Sequence, residues 1–140
     1  MIVFNPDLTP VQILEAGAFG GSYFASATWG DLQGLGEASA LAEQNEALRY
    51  DRGRNKFGVK AGQSFEQWTW NGWIFPEDPL GWFHWYCRYS AGRRHERDAH
   101  QIGRWSSFKG RWTTNKNLSN SLVIRQSLLH WGLEAERYVR

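Results

Sequence analysis

The sequence predicts an all-α fold: a compact single domain of five or six short helices around a central aromatic helix. Residues 80–91 are apolar over most of a helical circumference, which is typical of a buried helix. Helix-start signals and helix-ending glycines recur along the chain, whereas residues 2–4 and 57–59 give only short strand signals. A length of 140 residues fits one domain, over residues 1–140.

The first helix is predicted by a capping box. Thr9 and Gln12 occupy its two defining positions, and Pro10 is well tolerated in a first helical turn. The pattern predicts a helix over residues 10–16 that ends at Gly17.

Two further helices are predicted before the central one. Residues 38–50 are rich in Ala, Leu, Glu and Gln, which favours a helix on the surface. Residues 51–62 mix Arg, Lys, Asn and Gly and are expected to form a loop. Ser64 and Gln67 form a second capping box, which predicts a short helix that ends at Gly72.

The central helix is predicted over residues 80–91. Asp78 is expected to cap its first turn, and Gly92 is expected to end it. His84 and Arg88 lie four residues apart in the one narrow polar wedge of this helix, so they share one line of a mostly buried surface.

Arg88 needs a partner, because a buried unpaired charge is costly. The acids proposed for it are Asp98 and Glu77, and an anionic ligand is the alternative. Arg93, Arg94 and Arg97 follow the helix and are expected on the surface, where they would be solvated or bind phosphate.

Two helices are predicted after the central one. Apolar residues at helical spacing predict the first over residues 96–112. Ser119 or Ser121 is expected to cap the second, which runs through Trp131 and ends at Gly132.

Charge is distributed unevenly along the chain. Residues 1–48 carry six acids and no Lys or Arg, whereas residues 82–125 carry nine Lys and Arg against two acids, a balance of +7. This asymmetry favours an anionic partner, and Arg suits phosphate and carboxylate groups. A single Cys and the lack of a signal-like segment predict an intracellular, cytoplasmic protein. No membrane association is expected, because no apolar run approaches the roughly 20 residues that span a bilayer.

Four blocks of the sequence resemble a small Trp-rich family with no known activity, encountered in microbial, viral and fungal sequences. The blocks are GGSYF, GWIFPEDPLGWFHWYCRYSAGRR, DAHQIGRW and VIRQSLLHWG, which together cover roughly half of the chain. The resemblance implies a real folded domain. It carries over no catalytic residue.

The arginine-rich, Trp-interleaved part of the chain is the candidate binding face. Arginines would supply phosphate contacts, and one or two indoles would stack on bases. The expected function is therefore a small intracellular binding module for an anionic partner, with nucleic acid as the first choice. The predicted ligand-binding residues are Arg88, Arg93, Arg94, Arg97, Arg104, Arg111, Arg125, His84, Trp105 and Trp112.

An enzyme is the alternative that the residues leave open. Arg88, Arg104 and Arg125 would then converge in a Trp-walled pocket and hold a small anionic substrate. A third hypothesis is an accessory protein that binds other proteins through its aromatic surface. No paired Cys and no HExxH spacing occurs, so neither a metal nor a cofactor is predicted.

Overall fold

The computed structural model describes residues 2–42, 45–47, 49–61 and 75–139. These residues contain α-helices and short 3₁₀ turns but no β-strand, so the predicted all-α fold is confirmed. The helix predicted over residues 64–72 lies outside the described residues. The α-helices are α1 (Pro10–Ala16), α2 (Ser39–Ala42), α3 (Trp82–Ser90), α4 (Asp98–Trp112) and α5 (Leu122–His130). The 3₁₀ turns are Phe19–Gly21, Gly30–Leu32, Gly36–Ala38, Arg52–Arg54, Leu118–Asn120 and Ala135–Arg137.

α1 forms as its capping box predicts. The Gln12 amide donates to Thr9 Oγ1 at 3.2 Å, and the Thr9 amide donates to Gln12 Oε1 at 2.9 Å. Gly17 follows the helix at a φ of 102°, a conformation that favours glycine. A Cβ at Gly17 would lie 2.5 Å from the carbonyl oxygen of Arg54, so close packing also requires glycine here.

The prediction of a helix over residues 38–50 is wrong beyond its first turns. α-Helical structure is described for Ser39–Ala42, Asn45 has a 3₁₀ conformation, and residues 46, 47, 49 and 50 are not helical. Asn45 is buried a few residues later, where its side chain accepts from the Tyr23 amide at 2.7 Å and donates to the Ala18 carbonyl at 3.1 Å. A buried amide that bonds to a distant loop replaces the helix that local propensity favours.

α3 begins two residues later than predicted, because Asp78 does not cap it. The N-cap residue is Gly81, at a φ of 113°, and it has no side chain that could cap the helix. In the first turn, the His84 amide donates instead to the hydroxyl of the distant Tyr23, at 2.9 Å. The end of the helix follows the prediction. Gly92 and Arg93 donate their amides to carbonyls of the last turn, each at 3.0 Å, which is a Schellman motif.

α4 and α5 lie close to their predicted positions. α4 begins at Asp98, two residues later than expected. Of the two serines proposed as caps, Ser121 caps α5 by accepting from the Ile124 amide at 3.2 Å. Gly132, at a φ of 76°, ends α5 in a second Schellman motif.

α3 lies at the centre of the core. Trp82, Phe83, Trp85 and Cys87 are each at most 1% exposed. Full burial of such a side chain contributes about 1.5–3 kcal/mol. Residues of the other described helices pack around them: Ile13, Ala42, Trp105 and Leu128.

Two indole N–H groups join α3 to α4. Trp82 Nε1 donates to the Gln101 carbonyl at 3.1 Å, and Trp85 Nε1 donates to Asp98 Oδ1 at 2.8 Å. Buried indoles need such partners. These bonds fix where α4 lies against the central helix, and so where its charged side chains emerge.

Candidate functional site

Two arginines contact one buried carboxylate beside α3. Asp78 is 1% exposed and precedes the helix. Arg93, which follows the helix, donates Nη1 to Oδ1 at 2.8 Å and Nη2 to Oδ2 at 2.6 Å. Arg88 Nη1 lies 3.2 Å from Oδ1. Bidentate charge-assisted pairs are among the strongest hydrogen bonds in proteins, so these contacts tie together the two chain segments that flank α3.

Arg88 uses its other donors on backbone carbonyls. Nη1 also donates to the Glu77 carbonyl at 2.6 Å. Nε donates to the Gln33 carbonyl at 3.0 Å, and Nη2 donates to those of Gly30 and Asp31 at 2.9 and 3.2 Å. The guanidinium therefore holds a turn of the N-terminal third against α3.

The prediction that Asp98 or Glu77 pairs with Arg88 is wrong. Asp98 instead accepts from the Trp85 indole, and the Glu77 carboxylate lies 3.2 Å from Arg97 Nε. The partner of Arg88 is a carboxylate that had been expected to cap the helix. An Asp side chain has the same short carboxylate whether it caps a helix or pairs with an arginine. Which of the two roles Asp78 takes depends on the three-dimensional path of the chain.

The charged side chains around these contacts balance. We call them the charge cluster: Arg88, Arg93, Arg97, Glu77, Asp78 and Asp98. Three positive charges face three negative ones. Arg93 was expected on the surface, but its side chain is only 27% exposed. The charge cluster therefore offers an anionic ligand no excess of positive charge.

His84 is fully buried, and both of its ring nitrogens have partners. Nδ1 accepts from the Leu80 amide at 3.3 Å, so the proton is on Nε2, which donates to the Asp31 carbonyl at 2.7 Å. Burial lowers the pKa of His84, and the charge of Arg88 lowers it further. His84 is a neutral structural group and presents no nitrogen to a ligand.

Arg94 and Arg104 lie on either side of the start of α4. Arg94 is exposed, with its guanidinium 3.8 Å from the centre of the Tyr89 ring. Arg104 is half-buried and donates to the Gln101 side chain at 3.0 Å. Burial lowers the pKa of Arg104 to about 10, so it remains charged at neutral pH.

Two further predicted site residues have structural contacts. Arg125 donates Nε and Nη2 to the carbonyls of Leu118 and Ser119 at 3.1 and 2.6 Å. Trp105 is 1% exposed, and its Nε1 donates to the Trp131 carbonyl at 3.0 Å. Trp105 is a core residue with no face available for stacking.

Three cations near the end of α4 have no acidic partner among the described residues. The ammonium of Lys109 lies 5.2 Å from the centre of the Trp105 indole, Arg111 lies 5.1 Å from the centre of the Trp112 ring, and Lys116 makes no ionic contact with any described residue. No Asp or Glu occurs between residues 99 and 133. We call Lys109, Arg111, Trp112 and Lys116 the cationic surface.

Sequence reasoning included Arg111 and Trp112 in the site but left out Lys109 and Lys116. The signal that points to them is the run of residues 99–133, which carries cations and no carboxylate. The wider window with its balance of +7 omits Glu77 and Asp78, which pair with arginines inside it and neutralise part of its charge.

Among the described residues, the contacts given above for Arg88, Arg104 and Arg125 share no residue. Two hollows in the described part of the chain measure about 80 and about 270 Å³, and none of the three arginines lines either. Ligand pockets for small molecules usually occupy about 300–1,000 Å³.

The described residues contain neither a metal-ligand cluster nor a membrane-spanning helix. No group of three His, Cys, Asp or Glu side chains in them is arranged to hold a metal ion. None of their helices combines the length and the apolar character needed to cross a bilayer. Cys87 is buried, and burial raises the pKa of its thiol, which disfavours the reactive thiolate.

Comparison with known proteins gives no assignment. No family model matches the chain, and neither a curated protein nor a solved structure matches it significantly. The resemblance of the four sequence blocks to a Trp-rich family stays a prediction. The function is therefore argued from the geometry of the molecule.

Proposed function

We propose that the protein is a binding module that holds nucleic acid on its cationic surface. The observation that supports this most is the absence of any carboxylate near Lys109, Arg111 and Lys116, in sequence or in contact, among the described residues. Cations without intramolecular partners keep their full attraction for phosphates and release counterions when they bind. This surface is smaller than the predicted site, because the charge cluster is neutral.

Trp112 favours nucleic acid over a simple anion. It is partly exposed and lies beside Arg111 in the last turn of α4. An indole next to cations is the combination by which proteins bind single strands, since every base offers a face for stacking. Single-stranded DNA or RNA is therefore the expected form.

A purely structural role for the same cations is the competing explanation. Lys109 and Arg111 lie in the last turn of α4, where positive charge stabilises a helix by about 0.3–1 kcal/mol through the helix dipole. Lys116 lies beyond the helix end, in the turn that follows, and gains nothing comparable. A test that includes Lys116 therefore separates binding from helix stabilisation.

Fluorescence anisotropy with labelled single- and double-stranded DNA and RNA tests the proposal. The variant Arg111→Gln with Lys116→Gln should weaken binding about equally for unrelated sequences and flatten the salt dependence by up to about two units. Arg49→Gln with Arg52→Gln removes the same charge from two other exposed positions and should change binding much less. No binding at about 50 mM salt and tens of micromolar protein, or an equal loss in both double variants, would overturn the proposal.

A further inference from the structure

Trp29 is 81% exposed, whereas Trp82, Trp85 and Trp105 are at most 1% exposed. It lies in the N-terminal third, at the beginning of a tight turn over residues 28–33. A single exposed apolar side chain needs no special explanation. Two other features do need an explanation: the way in which this turn is held in place, and the hollow that lies beside it.

Both polar side chains of α3's narrow wedge hold this turn. Arg88 donates to three of its carbonyls, and His84 donates to the carbonyl of Asp31. Within the turn, the Thr28 amide donates to Asp31 Oδ2 at 2.9 Å, and the Asp31 amide donates to Thr28 Oγ1 at 3.4 Å. The backbone that carries Trp29 is thus fixed by the core before any partner binds, which lowers the entropic cost of using it as an anchor.

An open hollow of about 270 Å³ lies next to the turn. Leu32 lines the hollow. Its amide donates to the Trp29 carbonyl at 3.2 Å, so the hollow begins one helical turn from Trp29. The other lining residues are Leu35, Ser39, Ala42 and Glu46. A mixed lining that includes two Leu side chains and one carboxylate suits a long aliphatic side chain that ends in a positive charge, as in Lys or Arg.

The charges of this region also fit a cationic occupant. Residues 1–48 contain acids and no Lys or Arg, and Arg88, whose guanidinium reaches the turn from α3, is paired with Asp78. Asp31 Oδ1 has no hydrogen bond within the described residues. Partial burial raises the pKa of Asp31, but the hydrogen bonds from Thr28 and the nearby Arg88 outweigh it and lower the pKa overall, so the group stays ionised at neutral pH.

We propose that Trp29 and the adjacent hollow form a docking site for a cationic segment of a partner protein. One Lys or Arg of the segment lies over the Trp29 indole in a cation–π contact. A second inserts its stem between Leu32 and Leu35 and brings its charge to Glu46. The site lies outside the cationic surface and does not depend on nucleic-acid binding.

Short fluorescein-labelled peptides provide the test, one composed of Lys, Leu and Gly, one of Arg, Leu and Gly, and one of Glu, Leu and Gly. We expect the cationic peptides to bind the full chain and the acidic peptide not to bind. Trp29→Ser should weaken binding about tenfold or more, the loss expected for a central aromatic anchor. Leu122→Ser, a matched change at a position 47% exposed, should stay within about twofold.

Glu46→Gln should weaken binding severalfold and flatten its salt dependence, whereas Glu15→Gln at an exposed acid of α1 should not. Unchanged thermal midpoints and unchanged oligonucleotide binding in Trp29→Ser would show that neither the fold nor the cationic surface is affected. Absent peptide binding, or equal binding by Trp29→Ser and the wild type, would overturn the proposal. Self-association in sedimentation that Trp29→Ser abolishes would assign the site to a second copy of the chain and would also overturn it.

Discussion

In the charge cluster, three arginines contact two carboxylates, Asp78 and Glu77, with Asp98 beside them, whereas around the end of α4, three cations contact no carboxylate among the described residues. The cations of the two regions are of similar type. The regions differ in their carboxylates and in burial: Asp78 is 1% exposed and pairs with arginines, whereas Lys116 lies on the surface. Below the surface, an arginine must be paired, because removing its partner leaves a costly charge. On the surface, the same charge remains available to a ligand.

This comparison shows why a count of charges misleads. The balance of +7 over residues 82–125 treats all of its cations alike. The fold brings Glu77 and Asp78, from outside that window, against Arg97, Arg88 and Arg93. Partners close in space, not neighbours in the chain, decide which cations are available.

The largest expected effect is on the buried carboxylate. Asp78→Asn removes the charge shared by Arg88 and Arg93 and should destabilise the protein by about 3–5 kcal/mol in urea denaturation. Glu15→Gln, at an exposed acid without a partner, should stay within about 0.5 kcal/mol. A loss below about 1 kcal/mol for Asp78→Asn would mean that the charge cluster is not a structural unit.

A double-mutant cycle sharpens the same point. Arg93→Gln alone should cost about 2 kcal/mol, the value of charge-assisted hydrogen bonds. Combined with Asp78→Asn, the loss should be smaller than the sum of the two single losses, because the pair is already broken. Strict additivity in denaturation would contradict the direct pairing that the geometry shows.

A buried polar network without formal charge gives an intermediate effect. His130 Nε2 accepts from the Phe19 amide at 3.0 Å and from the Gln126 side chain at 2.9 Å, so the imidazole is neutral with its proton on Nδ1. Burial lowers the pKa of His130 to about 3. An unfolded histidine has a pKa of about 6.5, so the unfolded state takes up the proton first as pH falls.

Stability should therefore decrease from about pH 6.5 downwards, by up to about 1.4 kcal/mol per pH unit until the folded pKa is reached. His84, whose pKa is also lowered, acts in the same direction. Urea denaturation at several pH values between 7 and 5 measures this slope in a range where most carboxylates have not yet titrated. His130→Gln should reduce the slope, and the exposed His100→Gln should not. An unchanged slope in His130→Gln would refute the buried neutral state.

Local signals predicted most of the helical framework. Helix ends are set by contacts between residues a few positions apart, which can be recognised in the sequence. Examples are the capping box at Thr9, the cap at Ser121 and the helix-ending Gly92 and Gly132. The aromatic content of α3 likewise predicted its central burial.

The candidate site was predicted less well, because its contacts join residues far apart in the chain. Arg88 contacts carbonyls more than fifty residues away, at Gly30 and Asp31, and no local pattern encodes such a pair. Trp29 was overlooked for a related reason: it lies in a Gly-rich stretch without periodicity, and its exposure follows from how Arg88 and His84 hold the turn.

Thermal unfolding with and without a single-stranded oligonucleotide tests the central claim most directly, because one assay reports both stability and binding. It compares two matched changes, Arg93→Gln in the charge cluster and Arg111→Gln on the cationic surface. We expect Arg93→Gln to lower the midpoint of the free protein and to keep the full upward shift on adding oligonucleotide. Arg111→Gln should lower the midpoint much less than Arg93→Gln does, because it loses only a helix-dipole contribution, and it should reduce the shift. The reverse pattern, with a stable Arg93→Gln that loses the shift and an unstable Arg111→Gln that keeps it, would contradict the account.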